Sequence, residues 1–164
     1  MSSRGRLTHY TFRSVWEIPA SSGNVYDALY DLGSYPLWWP EIKSAERVDE
    51  DRFRLRCRSF LPYDLEFVSE RARADREAGI LEARLIGDLE GFSRWTIETR
   101  PSSFSLCRLT FDEEVVTNKR MLNLLAPVAR LPFRINHSLM MRHGRKGLQV
   151  FMGGFELAHQ SRRG

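Results

Sequence analysis

The sequence has few of the features that place a protein in a membrane or cross-link its chain. It contains no run of about eighteen consecutive apolar residues, so no transmembrane helix is expected. The N-terminal residues lack the apolar core of a signal peptide and lead directly into a strand-like pattern, which predicts a cytoplasmic protein. The two cysteines, Cys57 and Cys107, lie in separate strand-like patterns. They therefore predict small buried residues rather than a disulfide or a metal site.

Lysine is also scarce, since only Lys43, Lys119 and Lys146 accompany the arginines among the 25 basic residues. The formal net charge is +4, and a locally basic stretch begins at Arg142 and includes Arg163 near the C-terminus. Aromatic side chains do not alternate with these basic ones as they do on a nucleic-acid platform. We interpret the stretch as solvated surface, with nucleic acid or an anionic membrane as the less favoured alternative. No nucleic-acid partner and no stable membrane insertion are expected.

The short motifs of three common enzyme classes are absent as well. The chain contains no G-x-S-x-G of hydrolases, no G-x-x-x-x-G-K-[ST] of P-loop proteins and no G-x-G-x-x-G of dinucleotide-binding domains. The segment GDLEG at 87–91 resembles a phosphate loop only weakly and fits a hairpin turn better. His137 and His143 lack metal-ligand spacing with carboxylates, and His9 and His159 lie near the ends. Neither a metal site nor a cofactor is expected.

The composition is that of an ordinary globular protein, with 42% hydrophobic and 28% charged residues. A chain of 164 residues is long enough to bury a substantial core, and no linker or internal repeat divides it. We predict a single domain over residues 8–153, with flexible tails at 1–7 and 154–164.

The first part of the chain predicts a strand followed by two short helical segments. Apolar and polar residues alternate over 10–18, which is typical of a strand. Ser21 or Ser22 can cap a short helix that Gly33 ends. Two prolines bracket the aromatic segment 34–42, so we expect no more than a single helical turn there.

From residue 43 to 116 the pattern predicts about six strands joined by short turns, which together form an antiparallel meander. The clearest alternation covers 52–59 and is typical of a strand with one wet face and one buried face. The residues expected to be exposed are Arg52, Arg54, Arg56 and Arg58, and those expected inside are Phe53, Leu55 and Cys57.

The C-terminal part predicts one long helix from about Asn118 to Gly153, capped by Thr117 or Asn118. Pro127 and Pro132 predict a kink or two pieces end to end. Because so apolar a helix cannot stand alone in water, the strands must cover it. We predict an α+β helix-grip fold, in which a curved antiparallel sheet of about seven strands wraps around this helix. One apolar stripe on it would comprise Met121, Leu125, Val128, Pro132, Ile135 and Leu139.

Over roughly residues 8–151 the chain resembles the START-related (SRPBCC) superfamily, which includes polyketide cyclases/dehydrases, lipid-transport proteins and plant pathogenesis-related proteins. The resemblance is carried by the opening strand leading into SSGNVYDALYDLGSYPLWWPEI, and by LPYDLEF, GDLEGFSRWTI and NLLAPVARLPFRINHSLMM. These are packing and turn motifs, and none is a catalytic motif. The resemblance implies a deep apolar cavity between sheet and helix, which relatives use for sterols, lipids, hormones or polyketides.

Arg71 is the first candidate for chemistry in such a cavity. It lies in phase with the inward set Tyr63, Leu65, Phe67 and Ser69. A charge on an apolar face must pair or meet a ligand oxygen. The resemblance implies an orienting role, because a pocket arginine on this strand of the aromatase/cyclases is thought to orient polyketide carbonyls. The alternative is that the strand has run past the edge of the core and leaves Arg71 solvated.

Glu113 is the second candidate, because it lies in phase with Phe111 and Val115. Burial removes hydration from the charged form of a carboxylate. A buried glutamate therefore holds a proton more readily, which suits it to acid–base chemistry. It could instead turn out to water near the strand end, or pair with Arg71 across the cavity.

Further candidates come from the aromatic segment and the long helix. Of Trp38 and Trp39, one would plug the core while the other lines or gates the cavity mouth, or both would belong to the core. The resemblance implies that Tyr35 borders the pocket. On the helix, Asn136 lies beside the apolar stripe, and an inward amide would need the backbone, water or a ligand as its partner.

These observations favour a protein that binds one small hydrophobic or amphipathic ligand, such as a lipid, a polyketide or an aromatic compound, without turnover. The enzyme alternative is a cofactor-free aromatase/cyclase or dehydratase acting on a poly-β-ketone, with Arg71, Glu113 or Tyr35 assisting proton transfer. A scaffold with a filled core is a third class. For the first two we expect a cavity of roughly 300–1,000 Å³. Its expected ligand-binding residues are Tyr35, Trp38, Trp39, Tyr63, Leu65, Phe67, Arg71, Trp95, Phe111, Glu113, Asn136 and Met140.

Overall fold

The computed structural model describes residues 9–58, 64–117 and 126–161, and within the last helix it describes the side chains from Leu131 to Gly154. These residues form seven strands, one long helix and short helical segments. In chain order the elements are β1 (His9–Ile18), α1 (Ser22–Tyr30), a 3₁₀ turn (Leu32–Ser34), α2 (Tyr35–Trp38), β2 (Ile42–Arg47), β3 (Arg52–Cys57), β4 (Leu65–Asp75), β5 (Ile80–Gly87), β6 (Leu89–Arg100), β7 (Ser103–Thr117) and α3 (Ala126–Ser161).

All seven strands belong to one antiparallel sheet with the order β1-β7-β6-β5-β4-β3-β2. Strands β2 to β7 follow one another as a meander, and β1 joins the sheet beside β7, where Trp16 pairs with Leu109. The inward side chains of the sheet and those of α1, α2 and α3 form the hydrophobic core. The predicted α+β helix-grip fold is confirmed.

The alternation that predicted β3 is confirmed in the structure. The four arginines of this pattern are exposed, the last of them, Arg58, directly after the end of β3, and the three residues between them are buried against the core. Ser59, the end of the predicted strand, lies outside the described residues. The register of β3 is therefore set by its apolar face, since a slip of one residue would bury the arginines.

The two short helices also agree with their sequence patterns. Ser21 caps α1, because its side-chain oxygen accepts a hydrogen bond from the backbone N–H of Asn24 at 3.2 Å. Helix α2 is the predicted single turn, with Pro36 near its start, where a missing N–H has no helical partner to lose. Its aromatic residues Tyr35 and Trp38 are buried in the core.

Helix α3 begins at Ala126 in the described residues and continues to Ser161. The predicted start and cap at Asn118 lie among residues 118–125, outside the described part of the chain. Thr117, the other predicted cap, is the last residue of β7. Pro132 lies inside the helix. Residues 154–161, which the sequence pattern predicts to be a tail, are helical. The helix continues through Gly153 and Gly154, since glycine lowers helix propensity without forbidding the conformation.

The predicted buried stripe of α3 is wrong. Ile135 is 52% exposed and Leu139 is 41% exposed, and Pro132 also faces outward. Met121, Leu125 and Val128 lack described side chains. Apolar residues occur on two faces of α3, so periodicity alone selected the wrong one. The face that packs on the sheet contains a histidine and a glycine; its buried residues are Phe133, His137, Met141, Gly144, Leu148 and Met152.

Candidate ligand cavity

A cavity of about 110 Å³, here called the main chamber, lies inside the fold between α1, the sheet and α3. Its wall is mainly apolar and aromatic, because the inward faces of β3 to β7 alternate with outward polar residues. Helix α3 contributes Met140. At the solvent-facing end, the half-exposed Tyr30 lies beside Arg71.

A second chamber of about 60 Å³ adjoins the first. The two share wall residues from three strands and from α3, and these are Cys57, Phe67, Glu113 and Met140. Both volumes are smaller than the predicted 300–1,000 Å³, because bulky rings fill much of the interior. Trp16, for example, packs on Trp39 and Trp95 with ring centroids 5.7 and 5.0 Å apart.

The structure brings most of the candidate residues to these two chambers. Trp38 is buried but lines neither of them, and Tyr63 lies outside the described residues. Leu65 and Asn136 line the second chamber. The candidates that line the main chamber are Tyr35, Trp39, Phe67, Arg71, Trp95, Phe111, Glu113 and Met140.

Arg71 lies at the outer end of the main chamber and has partners on its surface side. Its Nη1 donates to the Tyr30 hydroxyl at 2.8 Å, and its Cζ lies 3.8 Å from the centroid of the Tyr30 ring. Asp51 Oδ1 is 3.5 Å from the same nitrogen. The Arg71 side chain is 17% exposed, so it is neither fully solvated nor buried. A pair with Glu113 does not form, because both side chains have other partners.

A buried pair of ionisable side chains lies where the two chambers adjoin, with Glu113 in the wall of both and His137 in the wall of the second. Glu113 Oε2 on β7 and His137 Nε2 on α3 are 2.9 Å apart, and both side chains are buried. The His137 ring stacks on Phe12 with centroids 3.8 Å apart and planes 12° apart. This geometry fixes the orientation of the imidazole beside Glu113.

Sequence reasoning considered His137 only as a metal ligand and missed this pairing. The signal was the spacing of four that separates His137 from Phe133 and from Met141, both of which are buried. This spacing identifies His137 as buried only once the packed face of α3 is known. For Glu113, the alternative that it turns out to water is wrong.

The aromatic segment supplies one wall of the main chamber through Tyr35 and Trp39. The Tyr35 hydroxyl donates to the Leu29 carbonyl oxygen at 2.8 Å, and burial raises the pKa of Tyr35 far above its ordinary value. Trp39 Nε1 donates to the Met140 carbonyl oxygen at 2.9 Å. Tyr35 is therefore a poor proton donor at neutral pH, and Trp39 is locked to α3.

Trp38 packs behind this wall and stacks on Trp39 with centroids 5.4 Å apart. Its buried Nε1 has no hydrogen-bond partner within the part of the chain that the structure describes. The structure thus separates the two tryptophans, with Trp39 in the chamber wall and Trp38 in the core.

Cys57 and Cys107 are buried, as predicted, and Cys57 lies in the wall of both chambers. Burial raises the pKa of the Cys57 thiol to about 12, with a smaller contribution from the nearby Glu113.

The described ranges contain no group of three or more histidine, cysteine and acidic side chains placed to hold a metal ion. In the same ranges, no helix has the length and apolar character needed to cross a membrane.

A family of known proteins matches most of this chain in sequence. The family model described as polyketide cyclase/dehydrase and lipid transport matches residues 18–136, which is most of the chain. No curated protein sequence matches the chain.

Several solved structures share the fold at low sequence identity. The Zhui aromatase/cyclase from Streptomyces sp. R1128 superposes with a TM-score of 0.74 at 13% identity, covering 88% of this chain and 94% of that one. A START superfamily protein from Mycobacterium smegmatis gives a TM-score of 0.65 at 19% identity, with coverages of 88% and 98%. The di-domain aromatase/cyclase StfQ of the steffimycin pathway gives 0.69 at 14% identity, with 92% of this chain matching 53% of that protein. Identities this low support the shared fold alone.

Proposed function

Because the chain belongs to the polyketide cyclase/dehydrase and lipid-transport family, we propose that it binds a small hydrophobic or amphipathic ligand in the main chamber. The observation that carries the proposal is a cavity whose mainly apolar, aromatic wall contains a few polar groups. Arg71 lies at the outer end, and Glu113, which pairs with His137 of the second chamber, lies at the inner end. Apolar walls with a few placed polar groups are the usual build of a small-molecule site.

Affinity in this site would come mainly from the wall. Burying apolar ligand surface contributes about 25 cal/mol per Å² before the costs of association are subtracted. Arg71 already has partners in Tyr30 and Asp51, so a ligand oxygen would compete with them. Replacing Arg71 by Met should therefore change affinity by only about a few-fold.

The test is to fill the chamber. Ala83 lines it on β5, whereas Ala72 on β4 is exposed. Ala83→Phe should abolish binding of an apolar fluorescent probe, while Ala72→Phe, the matched control, should leave it unchanged. Circular dichroism would verify that both variants fold. Equal binding by the two variants would contradict the proposal, because it would place the probe elsewhere.

A second candidate function, supported by the Glu113–His137 pair, is acid–base catalysis on a poly-β-ketone. A buried carboxylate that positions an imidazole can hold or move a proton at the edge of the chamber, and such help is typically worth about 10²–10⁴ in rate. This function would add turnover to binding at the same site.

The two functions differ in what one substitution does. Glu113→Gln should reduce turnover of an aryl-ketone or polyketide surrogate by at least about a hundredfold if the pair is catalytic, with ligand affinity retained. Glu114→Gln is the matched control, because Glu114 is the next residue of β7, is exposed and pairs with His9. Binding by the wild-type protein without any product would favour the non-catalytic function.

A further inference from the structure

The size of the two chambers narrows the ligand class, on the premise that the proposed binding function holds. The main chamber is about 110 Å³ and its neighbour about 60 Å³. In another protein, an engineered apolar cavity of about 150 Å³ accommodates benzene. The main chamber alone is smaller than that, but the two adjoining chambers together provide about 170 Å³. A single substituted ring that reaches across their shared wall therefore fits, whereas a long acyl chain or a multi-ring compound does not.

The wall is shaped for a ring and is held in place. Trp95 and Phe111 lie with centroids 4.6 Å apart, and Trp39 lies 6.4 Å from Trp95. These spacings are those at which aromatic rings attract one another in tilted or edge-to-face geometry. Hydrogen bonds from Trp39 to Met140 and from Tyr35 to Leu29 tie the wall to the backbone. Moving Trp39 or Tyr35 outward would break these hydrogen bonds.

The inner end presents a hydrogen-bond acceptor. Among the hydrogen bonds that join described residues, the Glu113 carboxylate makes one, between its Oε2 and His137 Nε2. Oε1 belongs to the same chamber-lining side chain and can accept another hydrogen bond. A hydroxyl group would satisfy it with a charge-assisted hydrogen bond, whereas a ligand carboxylate would be repelled there.

We propose that the cavity selects a single-ring phenol, with the ring against Trp39, Trp95 and Phe111 and the hydroxyl donating to Glu113. The acceptor explains the preference for a phenol over its ether, and the chamber volume explains the limit to one ring. Because a hydrogen bond to a charged group contributes about 1.5–3 kcal/mol, the hydroxyl should be worth at least about tenfold in affinity.

The experiment compares four compounds by calorimetry with the full-length protein: para-ethylphenol, its methyl ether para-ethylanisole, hydroxyanthracene and palmitic acid. We expect para-ethylphenol to bind at least about tenfold more tightly than each of the others. Tighter binding of palmitic acid or hydroxyanthracene would overturn this inference while leaving the binding function in place. Failure of all four compounds and of the apolar probe would overturn both.

Variants then locate the hydroxyl. Glu113→Leu alone would leave His137 buried without its partner, so it is combined with His137→Leu, because replacing both members of a buried pair by apolar residues is often tolerated. The double variant should bind the phenol and the ether with equal affinity. Glu114→Gln should keep the wild-type preference. A preference that survives in a folded double variant would overturn the assignment of the hydroxyl to Glu113.

Discussion

At the residue scale, the chemistry of the cavity depends on which polar atoms have partners and which face the chambers. The hydroxyl of Tyr35 and the indole N–H of Trp39 are used by backbone carbonyl oxygens. The Arg71 guanidinium rests on Tyr30. The Glu113 carboxylate, which bonds His137 through Oε2, keeps Oε1 as an acceptor through which the cavity can recognise a polar ligand atom.

Cys57 allows this description to be tested chemically. The thiolate is the reactive form, and burial raises the pKa of this thiol to about 12. Below that pH the neutral thiol predominates, so at about pH 8 alkylation by iodoacetamide should be roughly a thousandfold slower than for an ordinary exposed cysteine. Peptide mass spectrometry measures the rate, and the chain unfolded in urea is the control. Equal rates in the folded and unfolded chains would contradict the burial of Cys57.

At the element scale, α3 approaches the aromatic segment closely because glycines lie at the contact. A Cβ on Gly147 would lie 1.6 Å from the Trp38 carbonyl oxygen, and one on Gly144 would lie 2.6 Å from the Trp39 ring. No side chain larger than hydrogen fits at either position without a shift. The glycines therefore allow α3 and α2 to form one wall.

Substitutions of two glycines in α3 should have opposite effects on stability. Gly147→Ala should lower the free energy of unfolding by about 1–3 kcal/mol or more, because the new methyl group overlaps the Trp38 backbone. Gly153→Ala, the matched control, should raise it by about 0.5–1 kcal/mol, since a Cβ there meets no described atom within 4 Å and alanine favours the helix. Urea unfolding measures both values. Equal effects would contradict the packing of α3 on α2.

At the scale of the whole molecule, binding and folding are linked because the cavity walls come from most of the sheet and from α3. An unfolded chain has no such cavity. With free para-ethylphenol at a hundred times its dissociation constant, the free energy of unfolding should increase by about 2.7 kcal/mol. Urea unfolding with and without the compound measures the increase, and Ala83→Phe is the control that should show none. Binding without stabilisation would mean that the unfolded chain binds equally well.

The fold could be predicted from the sequence because its signals are local. Alternation along β3, the turns of the meander and the length of the apolar C-terminal stretch each follow from one segment and the period of its backbone. The positions of Phe67, Trp95, Phe111 and Glu113 in the chamber wall follow from the same alternation, since residues two apart on a strand share a face.

The tertiary structure decided the rest, for reasons of packing between distant segments. Helix α3 has apolar residues on two faces, so only its contact with the sheet decides that Phe133 and His137 are buried and Ile135 is exposed. That choice pairs His137 with Glu113. The separation of Trp39 from Trp38 and the volume of the chambers depend on how rings from four or more elements share one interior. Local periodicity determines which residues can face inward, whereas only the packed molecule determines how much space remains between them.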